Sequence, residues 1–275
     1  MNYERKIDFA IKLLRAIPQD GPIEISYSGG KDSDVILRLA QMAGIPHEAI
    51  YKQTSIDPPG TTAHAKEMGA TIIRPAKTFL QIVRENSYPT RFSRFCCKYL
   101  KEYPVYARAV QGIRREESTA RAKRYKEPED CRVFPGGERV RHYLPILEWT
   151  LEDVTRFIQE QGIKCAPVYY DEAGNFCPSR RLGCVICPMA SDNGIAGYKQ
   201  YPKLLRPMCR AADDYLKAHP NSNAAKYFRD GYELIFKRLF FKTMADWDAV
   251  MGDSLFPEMR PDARQYLSNY FGIEL

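Results

Sequence analysis

The stretch PIEISYSGGKDS, residues 22–33, places an apolar strand pattern directly before a Ser-Gly-Gly turn, and a helix pattern over residues 32–43 follows. This order suits anion binding, because the free N–H groups and the dipole at a helix N-terminus attract phosphate. The glycines let the backbone come close to a ligand, and Lys31 adds a positive charge. It is not a Walker A loop, since Ile25 occupies the first glycine position and Asp32 follows the lysine. The residues alone leave two interpretations, a phosphate loop and a plain strand–helix turn.

Strand and helix patterns alternate on both sides of this stretch. Further strands are predicted over residues 47–53, 71–74 and 106–113, and helices over residues 2–16, 61–68, 79–85 and 151–161. Residues 131–134 and 139–144, joined by Pro-Gly-Gly, predict a hairpin. The alternation predicts an α/β fold, a parallel sheet with helices on both faces. Beyond residue 196 the pattern is helical, so we expect an α/β domain over residues 1–190 and a helical region over residues 191–275.

The composition excludes several classes of protein. The 275 residues are 44% hydrophobic and 27% charged, which is typical of a globular protein and excludes a disordered or collagen-like chain. No apolar run approaches the ~18 residues that a membrane span needs. The N-terminal stretch carries charges within its apolar pattern, unlike a secretory signal. We therefore expect a cytoplasmic protein without a membrane partner.

The positive charge is concentrated in two segments of the chain. The net charge is +7, yet residues 91–126 contain 11 Lys/Arg and 3 Asp/Glu, and residues 196–245 contain 10 and 4. Segmental charge of this kind favours a polyanionic ligand such as DNA or tRNA, and a solvated basic face is the alternative.

Four of the eight cysteines fall into two close pairs, Cys96-Cys97 and Cys184-Val-Ile-Cys187. Close cysteine pairs in a reducing compartment are more often metal-binding or catalytic than disulfide-bonded. Four thiolates can close a tetrahedral zinc site or hold an iron–sulfur cluster. Neighbouring side chains diverge, so a vicinal pair suits a cluster with separate iron atoms better than one small ion. The pattern favours iron–sulfur and leaves zinc as the alternative.

The SGGKDS loop resembles the pyrophosphate loop of N-type ATP pyrophosphatases, which have an adenine-nucleotide α-hydrolase-like fold and split ATP between its α- and β-phosphates. This resemblance implies that ATP binds to the loop. The loop residues concerned are Ser28, Gly29, Gly30, Lys31, Asp32 and Ser33. The Asp32 carboxylate is then a candidate ligand for Mg²⁺, which prefers hard oxygen donors.

The loop and the cysteine pairs together resemble the cluster-bearing branch of the phosphoadenosine-phosphosulfate (PAPS) reductase family. The likeness extends over TRFSRFCCKYLKE (90–102), GIRREES (112–118), LPILEWTLEDVTRFIQEQGI (144–163) and RLGCVICPM (181–189). It implies a 4Fe–4S cluster on Cys96, Cys97, Cys184 and Cys187. It also implies that Arg114, Arg115 and Arg121 face phosphate or sulfate, for which guanidinium groups are suited. Asp57 matches the family's acidic residue at a strand end, although Pro58 and Pro59 replace the usual Thr-Gly.

Two departures from the family select among its activities. Sulfonucleotide reductases generally carry a degenerate phosphate loop, whereas SGGKDS is intact. Those reductases also use a cysteine near the C-terminus, whereas the last cysteine here is Cys209. We read Cys209 as a small core residue, and Cys131, Cys165 and Cys177 have no partner spacing. The sequence therefore favours an ATP-dependent sulfur-inserting enzyme, with Lys31, Asp32, Arg114 and Arg115 as catalytic candidates and a cysteine desulfurase or thioredoxin-like protein as donor.

Two alternatives stay open. One is a PAPS or adenylyl-sulfate reductase with a thiol donor, in which Cys177 or Cys209 would be the nucleophile. The other is a nucleotide-binding module whose four cysteines hold a purely structural metal.

Overall fold

A computed structural model describes residues 2–134, 136–252 and 261–275. The chain forms two compact units, each built from separate stretches. Unit 1 comprises Met1–Gln53, Asp57–Arg74 and Glu102–Leu182, and unit 2 comprises Thr54–Ile56, Pro75–Lys101 and Gly183–Leu275. The predicted division into an α/β domain over residues 1–190 and a helical region over residues 191–275 stays a prediction.

Unit 1 contains a six-stranded, mostly parallel sheet in the order β3-β2-β1-β4-β6-β5. The strands are β1 (Glu24–Tyr27), β2 (Glu48–Lys52), β3 (Thr71–Ile73), β4 (Arg108–Val110), β5 (Glu129–Val133) and β6 (Arg139–Tyr143). Only β5, paired with β6 at one edge, runs antiparallel. The helices are α1 (Tyr3–Arg15), α2 (Lys31–Ala43), α3 (Thr61–Glu67), α6 (Thr119–Arg124) and α7 (Leu151–Glu160). This confirms the predicted α/β fold.

The core of unit 1 positions the start of α2. β1 lies in the middle of the sheet between β2 and β4, and α2 packs against it. α2 also packs against α1 and α7. Thr150 begins α7 with a capping box that includes Asp153, and the buried Trp149 and Phe157 rings meet edge to face at 5.4 Å. The strand–loop–helix junction at residue 28 therefore rests on a rigid, buried base.

Unit 2 is helical and has its own hydrophobic core. Its helices are α4 (Phe79–Asn86), α5 (Phe95–Leu100), α8 (Ile195–Gln200), α9 (Leu205–Ala218), α10 (Asn223–Tyr227), α11 (Gly231–Phe240), α12 (Met244–Met251) and α13 (Ala263–Phe271). α9 packs against both α4 and α11. The core includes Phe79 of α4, Tyr198 of α8 and Trp247 of α12.

The structure places the described elements close to their predicted bounds and adds α6, which the sequence did not predict. Pro135 of the predicted hairpin turn, and residues 253–260 of the predicted helical region, lie outside the described residues. Within the described part of the chain, no helix is both long and apolar enough to cross a lipid bilayer.

Candidate active site

The loop between β1 and α2 is shaped by two glycines. Gly29 has a φ of +75°, and a Cβ there would lie 2.7 Å from the Thr61 methyl group of α3. Glycine is thus required at this position by both conformation and space. Gly30 precedes the first residue of α2 and has no side chain to cap the helix. The positive end of the α2 dipole therefore meets the loop without a capping side chain, which favours an anion there.

The loop is held by its own hydrogen bonds. The Ser33 hydroxyl donates to the Gly30 carbonyl at 2.6 Å, and the Gly30 amide donates to Ser28 Oγ at 3.3 Å. The amide of Lys31 donates to the hydroxyl of Tyr169, 3.2 Å away. Burial raises the pKa of Tyr169 to about 12, so it stays neutral and can accept this bond at neutral pH. The loop geometry is thus built before any ligand arrives.

Lys31, Asp32 and Arg114 form one charge cluster. Lys31 is only 5% exposed, and its Nζ lies 3.5 Å from Asp32 Oδ2. Arg114 is also buried, and its Nε donates to Asp32 Oδ1 at 2.6 Å. A second nitrogen of Arg114 pairs with Glu116 at 2.8 Å. The cluster brings together three of the residues that the sequence predicted for catalysis.

Gly112 allows the backbone before Arg114 to pass close to the start of α2. A Cβ at Gly112 would lie 2.8 Å from the main-chain oxygen of Asp32. The Asp32 oxygen belongs to the backbone and the Cβ would be attached directly to it, so neither could rotate away. A larger residue would therefore displace residues 112–114 or the start of α2. This glycine explains how residues 112–114 reach the loop from β4.

Arg115 lies in a different environment from its neighbour. Its guanidinium pairs with Glu148 and donates to the carbonyls of Tyr125 and Lys126. These contacts tie the segment after β4 to the segment before β5, and the structure does not bring Arg115 into the Lys31–Asp32 cluster. Its catalytic role stays a prediction.

Arg121 lies within electrostatic reach of Asp32 and Arg114, and Arg181 lies within reach of Arg121. Burial lowers the pKa of Arg121, Asp32 partly offsets this, and the charges of Arg181 and Arg114 lower it further. Arg121 also pairs with Glu117, and Arg181 donates to the Glu117 carbonyl at 3.3 Å. Sequence reasoning had named Arg121 but not Arg181 as an anion contact. Guanidinium groups gathered in this way suit a phosphate or sulfate group.

Asp57, the predicted acidic residue at the end of the second strand, lies half-buried in the turn that leads from β2 to α3. Its nucleotide contact stays a prediction.

A buried polar group that the sequence did not reveal lies on α2 behind the loop. Asp34 is fully buried; it accepts the Tyr27 hydroxyl, and its Oδ1 lies 3.0 Å from His64 Nε2. Burial raises the pKa of the nearby Cys165 thiol, and the charge of Asp34 raises it further. Sequence reasoning treated His64 as isolated, because its partner lies 30 positions earlier in the chain.

The four predicted cluster cysteines line one small cavity within unit 2. Its walls include the apolar side chains of Ile56, Phe79, Leu100 and Pro188. The pKa of Cys96 is raised by its hydrogen bond with Cys97, by burial, and by the charges of Cys97 and Cys184. These thiols are therefore close enough to influence one another's ionisation.

Polar groups surround the sulfur atoms of the cavity. An Arg94 nitrogen lies 3.9 Å from Cys97 Sγ, the hydroxyl of Thr54 lies 3.6 Å from Cys184 Sγ, and Lys101 lines the same cavity. Cations beside cysteines favour the thiolate, the form that binds metal. Soft sulfur donors in an apolar pocket fit an iron–sulfur cluster. Among the described residues, no three His, Cys, Asp or Glu side chains are arranged as ligands of a single metal ion.

The remaining cysteines differ in exposure. Cys209 on α9 is fully buried, and burial raises the pKa of its thiol. Cys177 is half-buried, with its Sγ 3.6 Å from the Asn175 carbonyl, and Cys131 is exposed. The environment of Cys209 is that of the predicted core residue.

Comparisons with known proteins give a family and several relatives. The sequence model of the phosphoadenosine phosphosulfate reductase domain matches residues 22–190. An uncharacterised protein of Methanocaldococcus jannaschii is 29% identical over 198 residues, covering 66% of this chain and 45% of that protein. Sulfate adenylyltransferase subunit 2 of Allorhizobium ampelinum is 30% identical over 206 residues, covering 61% of this chain and 64% of that one. The chain thus spans between about half and two thirds of the length of these relatives.

Among solved structures, the U34-tRNA thiolase of Methanococcus maripaludis with its 4Fe–4S cluster is similar at a TM-score of 0.42 and 14% identity. That similarity covers 80% of this chain and 82% of the thiolase.

Proposed function

Because this chain belongs to the phosphoadenosine phosphosulfate reductase domain family, we propose that it is an ATP-dependent sulfur-transfer enzyme of the cluster-bearing branch. ATP with Mg²⁺ binds at the intact loop of residues 28–33. The enzyme adenylylates an acceptor, which we take to be a nucleic acid, and releases pyrophosphate. Cys96, Cys97, Cys184 and Cys187 hold a 4Fe–4S cluster that supports the transfer of sulfur.

The observation that carries this proposal is the Lys31–Asp32–Arg114 cluster at the N-terminus of α2. A turn that merely reverses the chain needs no buried lysine, and burying a cation is costly unless it is paired. Here Lys31 is 5% exposed and is the first residue of α2, directly after the glycine loop. The buried ammonium, the amides and the helix dipole together stabilise the charge of a triphosphate.

In the proposed reaction an acceptor oxygen attacks the α-phosphorus of ATP. A bond forms between this oxygen and phosphorus, the bond from the α-phosphorus to the α–β bridging oxygen breaks, and pyrophosphate leaves. Lys31 and the loop amides stabilise the charge on the departing phosphates. Asp32 offers Mg²⁺ a carboxylate that it shares with Lys31 and Arg114. A sulfur nucleophile then displaces AMP from the activated acceptor.

The cysteine cavity supplies the second half of the proposal. When bound there, an iron–sulfur cluster offers iron atoms that can bind sulfur. The chain itself contributes four thiols, apolar walls that exclude water, and the cations Arg94 and Lys101 that favour the thiolate form.

The test is to incubate anaerobically purified protein with ATP labelled at the α-phosphate, single-stranded DNA or tRNA, and a sulfide source. We expect AMP and pyrophosphate, and no ADP. Lys31→Ala should weaken triphosphate binding far more than adenosine binding, because the proposed ligand contact of its ammonium is with the phosphates and not with the nucleoside. Lys164→Ala, which changes an exposed lysine of the same unit, is the matched control. ADP as the product, or equal loss of both ligands in Lys31→Ala, would contradict the proposal.

The second candidate is a sulfonucleotide reductase, and the group of Arg114, Arg121 and Arg181 favours it, since guanidinium groups suit a sulfate as well as a phosphate. Its nucleophile would be Cys177, because Cys209 is fully buried. Sulfite release from adenylyl sulfate or PAPS with a thiol reductant, without pyrophosphate release from ATP, selects this candidate.

A further inference from the structure

Unit 2 contains a second cavity, of about 400 Å³, whose lining is strongly cationic. Four of its twelve lining residues are basic, and none of the twelve is acidic. The basic residues are Arg91, Lys237, Arg238 and Lys242. A concave site lined by charges of one sign concentrates ions of the opposite sign.

The two inner cations keep hydrogen-bond donors that the described part of the protein does not use. Lys237 is 5% exposed, and among the described residues its ammonium makes one hydrogen bond, to the Phe241 carbonyl at 3.3 Å. Arg238 Nε is buried and has no acceptor in the described part of the chain. An ammonium has three donors and a guanidinium five, so both side chains retain donors for a ligand.

The buried Lys237 in the last turn of α11 differs from the buried charge at the other end of the same helix, which is paired. At the other end of the helix, Arg229 pairs with the buried Glu233 at 2.6 Å. The helix dipole favours cations in a last turn, but it acts equally on exposed ones and does not explain why Lys237 is buried. Burial and the charge of Arg238 lower the pKa of Lys237, and the charge of Asp246 partly offsets this.

The rim of the cavity adds an aromatic side chain. Phe92 lines the cavity and is fully exposed, and its neighbour Arg91 is fixed by donating to the Ala190 carbonyl at 2.7 Å. An exposed phenylalanine beside a cationic groove is the combination on which nucleic-acid bases stack while their phosphates pair with the cations. A free inorganic anion would use the cations and leave Phe92 without a role.

The cavity adjoins the cysteine site of the same unit. Pro188 lines both cavities, and Tyr88, which lines the cationic one, lies within electrostatic reach of Cys187, Cys96 and Arg238. We propose that this cationic cavity binds a backbone phosphate of a single-stranded nucleic acid, with an adjacent base stacked on Phe92. This rests on the proposed function, because it makes such a strand the acceptor of sulfur and holds it beside the thiols.

The test measures the binding of a labelled oligothymidylate, and of the matching oligouridylate, to the whole chain by fluorescence anisotropy over a range of salt concentrations. Phe92→Ala should weaken binding by roughly 5- to 160-fold, the range for one lost base–aromatic contact. Lys242→Gln should lower the slope of log affinity against log salt by about 0.7, the value for one lost phosphate contact. Both residues are exposed, so neither change threatens the core.

Matched controls are Tyr227→Ala, an exposed aromatic of unit 2 outside this cavity, and Lys203→Gln, an exposed lysine of the same unit. Losses of the same size in the controls would overturn the site. Equal binding of polyglutamate would overturn the assignment to nucleic acid in favour of an acidic protein. If inorganic phosphate binds and no oligonucleotide does, the cavity is a site for free anions, and the proposal is overturned as well. Binding is measured without ATP. If oligonucleotides bind but no pyrophosphate is released from ATP, the proposed reaction is refuted and the proposed binding site is not.

Discussion

The phosphate loop of unit 1 and the cysteine cavity of unit 2 are two candidate sites that differ in how far their polar groups are paired within the protein. In the loop, polar atoms already have protein partners: Ser33 bonds to Gly30, Lys31 to Tyr169, and Asp32 to Arg114. In the cavity, the four thiols line apolar walls. The hydrogen bond between Cys96 and Cys97 raises the pKa of Cys96 and so disfavours its thiolate.

This difference indicates how each site depends on its ligand. A loop whose charges are paired within the protein should keep its shape without the proposed ATP, so its residues should contribute to stability as well as to binding. In the cavity the pKa of Cys96 is raised, so this thiol must lose a proton when metal binds, which makes metal binding part of the stability of the site. The predictions below test this contrast from the largest effect to the smallest.

Loss of one thiol should remove the metal from unit 2. Protein purified without oxygen should carry about four irons per chain, and Cys187→Ser should retain almost none, because a cluster needs all of its thiolates. Iron analysis and the visible absorption spectrum measure the change. Cys209→Ala, which alters a buried cysteine outside the cavity, should keep its iron. Stoichiometric zinc without iron in the unaltered protein would instead support the structural-metal alternative.

Chelation gives the converse test of the loop. Because the hydrogen bonds and ion pairs of the loop all come from unit 1, removing iron should leave the affinity for ATP unchanged. A large fall in the affinity for ATP would mean that the loop also depends on the metal, which contradicts the contrast between the two sites.

Arg114→Ala should destabilise unit 1 much more than Arg115→Ala does. The Arg114 side chain is buried and is the nearer of the two cations that pair with Asp32, so its removal should cost about 3 kcal/mol. Arg115 forms a half-exposed pair with Glu148 and should cost about 1 kcal/mol. Urea unfolding measures both free energies. Equal losses would mean that the charge cluster is not a structural part of the loop.

Gly112→Ala tests the close approach of two backbones in the loop site. The new Cβ would lie 2.8 Å from the Asp32 carbonyl oxygen, and relief of that clash should cost about 2 kcal/mol. The affinity for ATP should fall as the start of α2 shifts. At Gly183 an added Cβ meets nothing within 4 Å, so Gly183→Ala is the matched control and should bind ATP normally.

The sequence predicted the fold because its signals were local. The strand–loop–helix order around Lys31 and the Thr150 cap of α7 depend on residues only a few positions apart, and the structure has both. The mostly parallel sheet follows from the alternation of strands and helices, and its antiparallel edge from the predicted hairpin.

Pairings between distant residues could not be predicted. The Tyr169 hydroxyl accepts a hydrogen bond from the Lys31 amide, 138 positions earlier in the chain. Arg114 donates a hydrogen bond to Asp32, 82 positions earlier. No periodicity or spacing connects such residues, because their contact is created by packing. For the same reason the sequence grouped Arg115 with Arg114, although adjacent side chains need not face the same site. The four cysteines of the cavity were grouped from the close spacing within each pair and the chemistry of thiolates, and the family resemblance supported that grouping.

The smallest expected effect concerns the two cysteines that a reductase mechanism would need. Burial raises the pKa of the Cys209 thiol, so it stays protonated and shielded, and iodoacetamide should not modify it in the folded protein. Cys177 is half-buried and should be modified slowly. Cys177→Ser should change neither the free energy of unfolding, beyond about 0.5 kcal/mol, nor the iron content. Mass spectrometry after alkylation, in native buffer and in urea, distinguishes the two sites. If Cys177→Ser abolished sulfite release from adenylyl sulfate while pyrophosphate release stayed absent, the reductase would replace the sulfur-transfer proposal.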